Sequence, residues 1–284
     1  MANKYGLSRN IPAEVKRAVR QRDGFGCVVC GQAVIEYEHF DPEFSEAKTH
    51  DPAGIILLCI ACHGLKTRNR LSRETIKMHA LAPKARQVGF SHGPFDVGQD
   101  YPEIWLGNIV MTNVANIIQV REDVLLSVRP PEESGGPFRL NAFLTDRSGR
   151  LQLAIVDNEW KSPVSNWDVA VEGARISIRS GLRDIELLLR TDPPNRLVFE
   201  RIRMSHKEFS IECREGSPTV FRSGDISFST EEGTLDGCAV GVAAMHGELC
   251  LGLGGGSMRL GPTTISRSER TSTRPSNIVP LFRP

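Results

Sequence analysis

Residues 27–40 read CVVCGQAVIEYEHF. Cys27 and Cys30 form one C-x-x-C doublet, and Glu38 and His39 follow on a β-favouring run that contains Ile35 and Tyr37. Twenty-eight residues separate Cys30 from a second doublet, Cys59 and Cys62. Each doublet can put two thiolates on one ion. Two doublets therefore complete a tetrahedral zinc site with no open position, which is a structural rather than a catalytic centre. In a reducing compartment such doublets point to metal before disulfides. A short segment with little core of its own gains its folding energy from that clamp. The bland alternative is four ordinary buried thiols.

Upstream, IPAEVKRAVRQRD carries Ile11, Val15, Ala18 and Val19 at helical spacing, with Pro12 at the start and DGFG (Asp23–Gly26) as the stop. Its other face is basic: Lys16, Arg17, Arg20 and Arg22. Downstream, the pattern predicts a helix from about Cys59 to Arg70 and another from Ser72, which can cap it. His63 directly follows the fourth cysteine. Adjacent strand residues face opposite ways, so Glu38 and His39 need a bend or an offset centre to act together.

Residues 82–104 hold three prolines and three glycines without a period and read as a linker. From about residue 105 to 255, short β-prone runs such as FRLNAFLT and RLQLAIV alternate with turns such as DRSG. Their spacing predicts an all-β, sandwich-like or otherwise sheet-rich domain, although a β-helix stays open. Cys213, Cys238 and Cys250 read as small core hydrophobes. Trp160 and Trp167 read as sheet-core or loop anchors. Residues 256–284, rich in Gly, Ser, Thr, Pro and Arg, read as a basic disordered tail. The whole is of the α+β class: a zinc-stabilised module over residues 1–81, the linker and the β-rich domain.

The overall charge of +1 conceals segments of net +5 (residues 1–86), −8 (87–255) and +4 (256–284). The first segment suits a polyanion and the second does not. No run approaches the ~18 apolar residues of a membrane helix, and MANKYGLSRNIPAEVKRAVR has no apolar signal core. A cytoplasmic protein is expected.

Read together, IPAEVKRAVRQRDGFGCVVCG, YEHFDP and LLCIACHGLKT (Leu57–Thr67) resemble the four-cysteine form of the HNH nuclease module over about residues 11–75. The resemblance implies a ββα-metal fold and a metal-dependent endonuclease in a phage or bacterial setting, with DNA the expected substrate. It implies His39 as general base and Glu38 and His63 as ligands of a catalytic Mg²⁺ or Mn²⁺ distinct from the structural zinc. Lys66, Arg68, Arg70 and Arg73, beyond the metal helix, are candidate phosphate contacts, with a solvated helix face as the alternative. One position departs from the pattern. Gly54 stands where the family usually has an Asn that orients the site, and His50, Asp51 or a backbone carbonyl are the candidates to replace it. Two other readings follow: a catalytically impaired nucleic-acid-binding protein, or a structural or sensing β-domain with a nuclease appended. The β-rich domain would serve targeting, regulation, a protein partner or homo-oligomerisation.

Overall fold

The computed structural model describes residues 2–267. The first helix, α1 (Ala13–Asp23), starts after Pro12 and ends at Gly24, whose N–H donates to Arg20 O. The chain then turns through the first cysteine doublet into strand β1 (Ile35–His39), which pairs antiparallel with β2 (Ile55–Cys59). Helix α2 (Ile60–Thr67) continues directly from β2. Helix α3 (Arg73–Leu81) is capped by Ser72, whose hydroxyl accepts the Thr75 N–H.

Every residue of β2 is buried, because the strand has apolar neighbours on both faces. Ile55 and Leu57 pack with Ile11 and Val19 beneath α1, while Ile56 and Leu58 pack with Cys27, Phe40, Cys59 and Ile76 on the cysteine side. The Arg22–Asp23 pair ties α1 to this strand. Asp23 is fully buried, accepts from the Arg22 guanidinium at 2.7 and 2.9 Å and from Leu57 N–H at 3.2 Å, while Arg22 also donates to Pro52 O and Ile55 O.

Strands outweigh helices, 49% against 14%, and the helices all lie in the first ninety residues, which is compatible with an α+β chain that has a sheet-rich domain. An eight-stranded sheet runs from Glu248–Leu253 at one edge, through Asp123–Arg129 and Arg139–Thr145, to Phe90–Pro94 at the other. A twelve-stranded assembly is organised around the long strand Arg196–His206. Its pairing path begins at Ser257–Leu260 and ends at Thr263–Arg267, two strands separated by only Gly261 and Pro262, so the path returns on itself. Both sheets feed one continuous core, with Leu126, Leu144 and Trp160 from the first beside Ile104, Phe199 and Phe209 from the second. That is a sheet-on-sheet core of the expected kind.

Two expected boundaries change. Residues 82–104 are not a bare linker: they hold helix α4 (Lys84–Val88), the edge strand Phe90–Pro94 and the start of Glu103–Leu106. The glycines and prolines that mask any period have local jobs. Pro83 precedes α4, and a Cβ on Gly93 would lie 3.0 Å from the Trp160 indole that covers it. Likewise, the expected tail pairs into the sheet up to Arg267; the remainder of that expected tail, 268–284, lies outside the described residues.

The first eighty residues are docked on the sheets. The Arg20 guanidinium grips the Asp168 carboxylate with two hydrogen bonds of 2.9 and 2.7 Å, both side chains buried, and donates to Tyr37 Oη at 2.7 Å. Arg17 stacks over Trp167 at 5.4 Å, and Gln21 donates to Trp167 O. Trp160, in contrast, lies wholly in the sheet core.

Candidate metal centre and adjoining cleft

The turn after α1 brings Cys27 and Cys30 against Cys59, the last residue of β2, and Cys62, in the first turn of α2. All four Sγ atoms lie within 4.8 Å of one another. Cys30 Sγ is 3.6 Å from Cys59 Sγ and 4.0 Å from Cys62 Sγ. Tetrahedral zinc with ~2.3 Å bonds sets its sulfurs about 3.8 Å apart, so the four could hold a zinc ion. Cys62 N–H donates to Cys59 Sγ at 3.4 Å, which steadies that sulfur. The thiols compete for negative charge. The hydrogen bond from Cys30 holds the Cys27 thiol down to about 5, while burial pushes Cys62 up to about 12. A dication at their centre would end that competition, since the thiolate is the metal-binding form. Cys213 and Cys238 are buried away from this cluster, as small apolar side chains would be, and Cys250 is half-buried.

Glu36 and Glu38, two residues apart on β1, share a face and reach His63 on α2. Glu36 Oε2 lies 2.7 Å from His63 Nδ1, and Glu38 Oε2 lies 3.1 Å from His63 Nε2. The carboxylates thus take different ring nitrogens. The Glu38–His63 separation is that of an ordinary ion pair, between two side chains of types that can ligate divalent ions. Glu36 would then hold the opposite ring nitrogen and fix the tautomer, as supporting carboxylates do for metal-bound histidines.

His39 ends β1 and is nine-tenths buried. Its Nε2 is 3.1 Å from His50 Nδ1, and its ring meets Phe44 edge-on at 5.3 Å. Burial, helped by His50, lowers the His39 pKa, which favours the neutral ring. Glu38 and His39 nevertheless border one open cleft of about 550 Å³, with Arg9, Tyr37, Glu43 and Lys66 also in its walls. The opposite facing of neighbouring strand residues does not separate them, because the strand stops at His39 and both reach the cleft at its end.

Gly54 has a steric reason. It closes a single 3₁₀ turn, Pro52–Gly54, just before β2. Its carbonyl accepts from Phe40 N–H (2.8 Å) and Asp41 N–H (3.1 Å), and a Cβ there would lie 2.3 Å from Asp41 O. No side chain fits, and it is His50 that contacts His39. Asp51 instead caps the 3₁₀ turn through Ala53 N–H.

Of the four candidate phosphate contacts, Lys66 is bound to Glu38 and Arg73 to Glu43 and Phe40 O. Their charges are taken up inside the module. Arg68 and Arg70 are exposed; Arg68 donates at 3.4 Å to Gly64 O. Glu36 is the residue that spacing did not single out. Its signal was present, since β1 alternation puts residues 36 and 38 on one face.

No helix among the described residues is long and apolar enough to cross a membrane. Comparison of the chain with protein-family models, curated proteins and solved structures finds no match.

Proposed function

We propose that this chain is a metal-dependent endonuclease of the HNH type that hydrolyses phosphodiester bonds in nucleic acid, DNA foremost. The reading rests on one observation beside the sequence resemblance: an acid, a buried histidine favoured in its neutral form and a lysine border one cleft, with a second histidine 3.1 Å from the acid. Zinc on the four cysteines is structural in this reading, holding the turn after α1 to the start of α2.

Glu38 and His63 would hold the divalent ion, Mg²⁺ or Mn²⁺, which would supply positive charge at the scissile phosphate. His39 is the general base. With the Nε2 hydrogen donated to His50 Nδ1, the lone pair on Nδ1 takes a proton from water. The water oxygen bonds to phosphorus as one P–O ester bond breaks, the departing alkoxide takes a proton from solvent water, and the imidazolium that forms keeps its hydrogen bond to His50. Lys66 balances the Glu38 carboxylate, and Arg68 and Arg70 offer exposed charge to phosphates further along. The sheet domain contributes targeting, regulation or assembly.

Incubating zinc-loaded protein with supercoiled plasmid and Mg²⁺ or Mn²⁺ tests this, beside His39→Ala. Nicking by the wild type and its loss in the variant are expected. A wild type that never cuts, or a variant that cuts equally well, overturns the reading and leaves a nucleic-acid-binding role.

A further inference from the structure

The basic face of α1 is not used by the cleft at His39. A second open cleft, of about 490 Å³, follows the seam between α1 and the strands Asp168–Glu172 and Arg175–Gly181. Lys16 and Arg17 line it from the helix, and Ser177 and Arg179 line it from the sheet. Ile11, buried, lines both clefts. Tyr37 also bridges them: it borders the first, while Lys16 of the second lies over its ring at 5.6 Å.

The charge in this groove is unbalanced. Arg20 and Asp168 neutralise each other in its floor. Among the described residues, Lys16, Arg17 and Arg179 have no carboxylate within ion-pair distance, although Glu172, exposed, also lines the wall. Some arginines of the same sheet are already paired with acids: Arg175 and Arg190 with Glu200, and Arg203 with Asp184. Stacking on Tyr37 and Trp167 holds Lys16 and Arg17 in place without neutralising them. Three cations outside any ion pair, two of them held by stacking, outnumber the one exposed acid in a groove that shares Ile11 with the cleft at His39, a pattern suited to backbone phosphates.

We propose that nucleic acid engaged at His39 continues past Ile11 along this groove, with its backbone phosphates held by Lys16, Arg17 and Arg179. The sheet domain then binds the substrate directly despite its net negative charge, because the local field in the groove decides the contact. The proposal rests on the endonuclease reading and adds a second, sequence-independent contact surface to it.

Fluorescence anisotropy with a long labelled duplex and a single strand of equal length, at a series of KCl concentrations and without Mg²⁺ or Mn²⁺, tests it. Arg179→Ala is expected to lower affinity several-fold and to reduce the slope of log affinity against log salt by about one; Lys16→Ala/Arg17→Ala should reduce it by about two. Arg179→Lys should keep the slope. Lys207→Ala, whose ammonium is already held by Glu122 and Asp123, should match the wild type. A merely structural role for Arg179 would lower the melting temperature and leave the slope alone. Wild-type affinity and slope in folded Arg179→Ala overturn the groove while plasmid cutting persists. A wild type that neither binds nor cuts overturns the endonuclease reading and the groove with it.

Discussion

Placing at residue 54 the asparagine of the HNH pattern that the sequence resembles should damage this protein. A Cβ at Gly54 would lie 2.3 Å from Asp41 O and 3.1 Å from Asp41 C, whereas ordinary contact begins at 3.4 Å. Relief needs a movement of about 1 Å between two backbone segments in a well-packed site. Those segments are stapled by the hydrogen bonds from Phe40 and Asp41 N–H to Gly54 O, so the movement strains both. Overpacking costs about 1–3 kcal/mol, and each weakened hydrogen bond adds up to about 1 kcal/mol. For Gly54→Ala a loss of about 2–4 kcal/mol is expected, and Gly54→Asn should lose no less. At ~2–4 °C per kcal/mol for a chain of this size, the melting temperature should fall by on the order of 10 °C. Calorimetry or dye-monitored melting of zinc-loaded protein reads this, and plasmid nicking below the transition reads whether His39 is displaced. A Gly54→Ala protein that melts within about a degree of wild type, well inside what 1 kcal/mol would move, refutes the steric argument. So does a Gly54→Asn protein that is as stable as wild type and cuts faster.

His50→Ala should reduce the cleavage rate ~10- to 100-fold while Mn²⁺ affinity, read by calorimetry, stays put, because His50 orients the base and not the ion. Glu36→Gln should do the reverse, weakening Mn²⁺ binding ~10-fold or more by loosening His63; equal Mn²⁺ affinity in the variant would remove Glu36 from the site. Asp168→Ala leaves a buried guanidinium without its carboxylate and should cost about 3–5 kcal/mol, seen as a lower denaturant midpoint, and a wild-type midpoint would contradict the buried pair. Asp184, hydrogen-bonded by Arg203, has its carboxyl lowered to about 2. A depressed carboxyl favours the fold above its ordinary value of 3.8, and that benefit is lost as pH falls through about 2. Acid titrations of wild type and Asp184→Asn should therefore converge at the bottom of that window and diverge above it; parallel curves would refute the linkage.

Much of the centre was legible because it is local. Cysteine spacing, a β-favouring run ending in His39 and an apolar pattern into α2 are all read within forty residues, and the chain folds them as a strand pair and a helix. The His39–His50 contact was open as one of three substitutes for the missing Asn, and only the folded turn at Pro52–Gly54 separates His50 from Asp51 and the backbone. Residues 82–104 escaped reading because Pro83 and Gly93 serve as a helix boundary and a close approach to Trp160, uses that look like disorder in a one-dimensional pattern. The strand order was out of reach for a different reason. The parallel pairings of Ile109–Thr112 with Gly233–Asp236, and of Asn116–Val120 with Val240–Met245, join runs more than a hundred residues apart, and no local spacing encodes them.

The bidentate contact between Arg20 and Asp168 also bears on how such a chain can be inherited. Its two halves are 148 residues apart, one in the helix that leads into the cysteine cluster and the other in a sheet strand. A recombination event that exchanged the first eighty codons alone would deliver a buried cation to a sheet that lacks its acid, or leave a buried acid beneath a helix that lacks its base. Either hybrid starts several kcal/mol in deficit. Lineages should therefore keep these two positions together or change them together, and drift freely at exposed positions such as Lys77. On this account the module and the sheets should be inherited as one unit, whatever catalogue of parts their sequence suggests.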